Sequence, residues 1–105
     1  MARVVGFAYL SPFHPAATMR HSAALTYFLD PECTGQGLGT LFLDQLLREG
    51  KALGITNFLA HISSGNPGSI RFHLKHGFTE CGRFLDVGIK NGQSFDMVWL
   101  QKIAA

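Results

Sequence analysis

Asp30-Pro31-Glu32-Cys33-Thr34-Gly35-Gln36-Gly37-Leu38-Gly39-Thr40 decides how the chain reads, because three alternating glycines stand between an apolar run and a helical one. Glycine lets the backbone turn tightly and lets an anion come within hydrogen-bonding distance of main-chain N–H groups. A helix starting here adds first-turn amides that have no intrahelical acceptor, and a partial positive charge. The segment therefore points to a phosphate or pyrophosphate site, although glycines before a helix also build plain tight turns. What is absent narrows the choice. A P-loop needs Lys after its last glycine, whereas Gly39 is followed by Thr40 and Leu41. A dinucleotide fingerprint needs an acidic residue about twenty positions on, where this chain reads Phe58-Leu59-Ala60-His61.

Downstream, Leu38, Leu41, Phe42, Leu46, Leu47 and Leu53 recur at helical spacing as one stripe, with Asp44, Gln45, Arg48, Glu49 and Lys51 opposite. Gly50 weakens this helix and Gly54 suits a left-handed cap that ends it. Ile55 to Ile62 then reads as a strand. Upstream, Arg3 to Leu10 is a strand stopped by Ser11, Pro12 and Pro15, with an irregular connection to about Arg20. His21 to Asp30 is a second strand, apolar on both faces and so central, ended by Pro31. Strand, helix, strand in succession predicts a right-handed crossover between parallel strands.

Toward the C-terminus, Asn66 or a neighbouring serine caps a helix over Pro67 to Lys75, which Gly77 closes. Phe78 to Val87 and Phe95 to Leu100 read as strands joined at Lys90-Asn91-Gly92-Gln93. The order is β-β-α-β-α-β-β, an α/β (α+β) chain with a mixed sheet of about five strands and two helices.

Length and composition agree with one domain over residues 1–105. The 105 residues are 47% hydrophobic and 15% charged, which excludes a disordered or fibrous chain. A net charge of +2, without a basic run, leaves no stripe to neutralise phosphates along nucleic acid. The N-terminal apolar run is too short for a signal-peptide core or a membrane span, so a cytoplasmic protein is expected. Cys33 and Cys81 read as reduced thiols. His73 and His76 lie three apart on a helix, but no paired-cysteine motif accompanies them, so no metal is expected.

Thr34-Gly35-Gln36-Gly37-Leu38-Gly39-Thr40 resembles the acyl-CoA pyrophosphate loop of the GCN5-related N-acetyltransferase (GNAT) superfamily. Thr34 departs from the Gln or Arg usual at the first position, while the backbone donors of the glycines and Thr40 remain. Asn66-Pro67-Gly68-Ser69-Ile70-Arg71-Phe72-His73-Leu74-Lys75-His76-Gly77-Phe78 resembles the superfamily's second cofactor motif. Gly82-Arg83-Phe84, Gly88, Lys90, Gly92, Asp96-Met97-Val98-Trp99 and Gln101 are similar to the phosphinothricin acetyltransferase-like branch, which carries His where most of the superfamily has Tyr, here His73.

The resemblance implies a truncated acyl-CoA N-acyltransferase fold, with residues 1–105 as its C-terminal cofactor-binding portion. It implies acetyl transfer from acetyl-CoA to the primary amine of a small amino-acid-like acceptor. The pantetheine arm would lie along backbone groups near Phe28 and Leu29, with the pyrophosphate on Thr34, Gly35, Gln36, Gly37, Leu38, Gly39 and Thr40 and with Arg71 toward the phosphates. Asn66 would orient the arm or a water. His73 would serve the sulfur side, since an imidazolium can protonate a departing thiolate. The bland reading leaves Asn66 a helix cap and His73 a packed helix residue.

Two departures weigh against catalysis. Enzymes of the branch carry Glu as general base on the strand before the glycine loop, and that position here is Ala24, with Glu32 and His61 as substitutes. The resembled fold also begins with a strand, two helices and another strand that this sequence lacks. An apolar face and the edge of the Arg3 strand would then be open, so a homodimer is expected to cover them. The alternative is a non-catalytic or degenerate CoA-binding remnant, or a subunit needing a partner chain.

Overall fold

The computed structural model describes residues 6–29 and 37–104. Among the described residues five strands and two α-helices follow one another as β1 (Gly6–Pro12), β2 (Ser22–Leu29), α1 (Leu38–Ala52), β3 (Asn57–Ser63), α2 (Pro67–Lys75), β4 (Thr79–Lys90) and β5 (Gln93–Ile103). The sheet order is β1-β2-β3-β5-β4, which makes β2 internal and β1 and β4 the edges. The mixed sheet, its two helices and the β-β-α-β-α-β-β order agree with the sequence reading. A short 3-10 turn, Ala17–Met19, lies in the irregular connection and was not foreseen. The final hairpin is also longer than expected, because β4 continues past Val87 to Lys90 and β5 past Leu100 to Ile103.

Two compact units make up the chain, Met1–Phe58 with Ala104–Ala105, and Leu59–Ile103. In the first, β1 and β2 pair antiparallel from Gly6 with Leu29 to Pro12 with Ala23. Ala23, Leu25, Leu43, Leu46 and Phe58 are buried. The face of α1 that packs inward is Leu43, Leu46 and Gly50. Leu41 and Leu53, assigned to the apolar stripe from their spacing, are exposed. Leu41 lies two residues from Leu43, about 200° around a helix, so the two cannot share a narrow face. Gly50 has a packing reason: a β-carbon there would press on the Phe58 ring and on Leu10. Gly54, at φ 86, ends the helix as a left-handed cap.

In the second unit Leu59, Ala60, Ile62, Phe78, Val98 and Leu100 form the core. β4 and β5 pair antiparallel around Lys90-Asn91-Gly92-Gln93, where Asn91 and Gly92 both have positive φ, as the tight two-residue hairpin requires. The register slips between Phe84 and Gly88, a bulge holding Asp86 at φ 51. Lys102 Nζ donates to the His76 carbonyl at 2.7 Å and so closes the C-terminal end of α2.

Candidate cofactor and active site

In the first unit Gly37, Leu38, Gly39 and Thr40 stand at the start of α1. Gly37 is the N-cap at φ 77, the left-handed region open to glycine. Among the described residues no side chain caps this end, and its first turn holds no acidic residue. Among the described residues a β-carbon on Gly37 would meet nothing within 4 Å, so the glycine is demanded by its backbone angle. Leu38, Gly39 and Thr40 form the first helical turn, at the positive end of the helix dipole. This end of α1 fits an anionic group. Phe28 and Leu29 end β2, their backbones in register with Phe7 and Gly6 of β1. Thr34, Gly35 and Gln36, with Glu32 and Cys33, lie outside the described residues. Ala24 is half-buried in β2 opposite Ser11, and its methyl group offers no base.

In the second unit Asn66 and His73 sit on one short hydrogen-bonded path. Asn66 Oδ1 accepts from the Ser69 amide at 3.2 Å, capping α2 ahead of Pro67. The Ser69 carbonyl accepts from His73 Nδ1 at 2.8 Å. A carbonyl only accepts, so Nδ1 carries the proton and Nε2 is the acceptor nitrogen of the neutral ring. His73 is 3% exposed, edge-on to the rings of Phe72 and Phe78 at 5.3 and 5.1 Å. Burial pushes its pKa down, outweighing the Ser69 hydrogen bond, and His76 adds to the lowering. Both bland roles are thus present: Asn66 caps and His73 packs. Arg71 is exposed on α2.

A polar network beside these residues went unread in the sequence. Asp96 Oδ2 accepts from Arg83 Nη1 at 3.0 Å, and Asp96 Oδ1 accepts from the Asp86 amide at 2.9 Å. Asp86's amide and then Arg83's guanidinium hold the Asp96 carboxyl below the usual carboxylate range. Glu80 also approaches Arg83, at 3.6 Å. Arg83 is therefore engaged within the chain. The sequence signal was one carboxylate inside the otherwise apolar run Phe95 to Leu100.

His61, a substitute for the missing base, is exposed on β3 with its ring 5.1 Å from that of Trp99, and Phe84 lies 5.7 Å from Trp99 on the other side. Cys81 is an exposed free thiol. Among the described residues no group of three or more His, Cys, Asp or Glu could hold a metal ion, and no helix is long and apolar enough to cross a membrane.

The chain is 31% identical over 98 residues to the L-methionine sulfoximine/L-methionine sulfone acetyltransferase of Pseudomonas paraeruginosa, covering 93% of this chain and 57% of that protein. Among solved structures it is similar to a GNAT superfamily phosphinothricin acetyltransferase from Sinorhizobium meliloti in complex with AcCoA, with TM-score 0.90 and 31% identity over 96% of this chain and 55% of that one. It is also similar to a ribosomal-protein-alanine N-acetyltransferase from Brucella melitensis, with TM-score 0.87 and 37% identity over 96% and 62%. The chain spans a little over half the length of the curated relatives it matches. Residues 2–78 match the sequence profile of the acetyltransferase (GNAT) family, and with the cap at Gly37 and the Asn66-capped helix α2 in place, the chain belongs to that family.

Proposed function

We propose that residues 1–105 are the cofactor-binding portion of an acetyl-CoA-dependent N-acetyltransferase whose acceptor is the primary amine of a small amino-acid-like molecule. The observation that carries this is the start of α1: a left-handed glycine cap that, among the described residues, has no side-chain cap, no acid in the first turn and no atom against a β-carbon built at Gly37. An end of this kind takes a diphosphate readily. The similarity to a structure determined with AcCoA, and to acetyltransferases of methionine sulfoximine and phosphinothricin, supports the same reading.

When bound, acetyl-CoA supplies an activated acetyl thioester. The amides of Leu38, Gly39 and Thr40, with the loop from Thr34, would hold its diphosphate, Arg71 would add charge, and backbone near Phe28 and Leu29 would line the arm. Asn66 would orient the arm or a water, and His73 would serve the sulfur side. A neutral His73, protonated on Nδ1, suits a hydrogen-bonding role there better than that of a standing acid. The amine proton would leave through water, since Ala24 offers no base.

Ala24 also keeps a second reading in play, a CoA-binding remnant or a subunit completed by another chain. The edge position of β1, with Phe7 and Tyr9 exposed and their rings 6.4 Å apart, supports a homodimer that covers this strand. The cytoplasm, where thiols stay reduced, suits the exposed Cys81.

Calorimetric titration with acetyl-CoA, followed by a thiol-release assay over amino acids, methionine sulfoximine and phosphinothricin, tests the proposal. Saturable binding with release in the presence of an amine is the expected result. Binding without release across the panel would favour the remnant, and absence of binding would remove both readings.

A further inference from the structure

The loop between β3 and α2 is clasped by β5. The Ser64 amide donates to the Asp96 carbonyl and the Asp96 amide donates to Ser64 Oγ, each at 2.9 Å. From there the bonds run on toward α2. The Gly65 amide meets Ser63 Oγ at 3.1 Å and the Asn66 amide meets the Ser63 carbonyl at 2.9 Å. Asn66 caps Ser69, and Ser69 receives His73.

In the other direction the Asp96 carboxylate is built into the β4 bulge. It takes the Arg83 guanidinium on one oxygen and the Asp86 amide on the other. Asp86 is turned to φ 51 to present that amide, and Ser94 Oγ ties its carboxylate at 2.9 Å. A left-handed non-glycine residue is strained and persists where the surrounding contacts over-determine it. A plain hairpin needs none of this. Asp96 stands where the bulge meets the loop leading to Asn66 and His73, bonded to one by its side chain and to the other by its main chain.

We propose that Asp96 is a positioning residue, anchored in the β4 bulge by Arg83 and Asp86, that sets the Ser64 loop and thereby the placement of Asn66 and His73. The carboxylate stays charged through the neutral range because the Asp86 amide and Arg83 favour that form. The functional weight of the inference rests on Asn66 and His73 serving the cofactor. The hydrogen-bonded path itself does not.

Nuclear magnetic resonance on the full chain without ligand tests it. Ser64→Ala removes the acceptor of the Asp96 amide, and Asp96→Asn keeps an acceptor oxygen but loses the charge facing Arg83. In both, exchange of the Ser69 amide is expected to quicken about five- to tenfold, the scale of one lost hydrogen bond. The His73 imidazole titration is expected to move toward its ordinary midpoint. Ser64→Thr, which keeps the hydroxyl, restores the parent values, and Glu80→Gln, which loses the ion pair with Arg83, leaves them unchanged. If Asp96→Asn fails to fold, Ser64→Ala carries the same test. Unaltered Ser69 exchange and His73 titration in a folded Ser64→Ala protein would overturn the proposal. Altered values in a chain that does not bind acetyl-CoA would uphold the coupling while overturning the acetyltransferase reading.

Discussion

The phenyl ring of Phe95 lies over the α-carbon of Gly88, its register partner across the β4–β5 hairpin, so a β-carbon at position 88 would overlap three ring atoms. Gly88 is thus held by sterics rather than by a turn. Gly88→Ala is expected to cost about 1–3 kcal/mol, the scale of overpacking. Urea denaturation measures it, and adding Phe95→Leu should recover part of the loss. An unchanged midpoint would mean that the ring is free to swing aside.

Gly50 makes the corresponding argument in α1. Alanine there gains about 1 kcal/mol in helix propensity. It must also displace the Phe58 ring, which is fully buried. The overpacking is the larger effect, so Gly50→Ala is expected to lower stability by about 1–2 kcal/mol. A stabilised variant in the same denaturation assay would show that Phe58 has room to move.

His73 gives stability a pH dependence. Its pKa in the folded chain lies below the ordinary 6.5, so between the two values the unfolded chain binds more protons. The contribution is complete above 6.5 and is lost as pH falls through the folded value. Denaturation midpoints taken from pH 7.5 downward should show this decline, and His73→Gln should flatten it. A midpoint that rises on acidification through this window would contradict the buried, neutral ring.

Asn66 has a measurable role whatever the chain binds. Asn66→Ala removes the acceptor for the Ser69 amide and is expected to cost about 1 kcal/mol, while Asn66→Asp, an equally good cap, should keep stability. If acetyl-CoA affinity falls in both variants, the amide group itself serves the ligand. If it falls only with alanine, the effect passes through α2.

Local chemistry made much of the fold legible. Gly54, Gly77, Pro67 and the Asn91-Gly92 turn each carry a backbone preference that the structure uses. Facing was less so: Leu41 and Leu43 are equally apolar, and only the packing on α1 decides that Leu43 goes inward. The Asp96 network was hidden because its partners lie on three elements separated by up to 32 positions. His73 could be singled out by its place in a motif. Its enclosure by Phe72 and Phe78 depends on how α2 meets the start of β4.

The row formed by His61, Trp99 and Phe84 has a practical consequence, because Trp99 is the chain's single tryptophan. Indole emission responds to a neighbouring ring's charge and to water. Its intensity is therefore a built-in optical gauge of that one sheet face, with no dye to attach and no second indole to subtract.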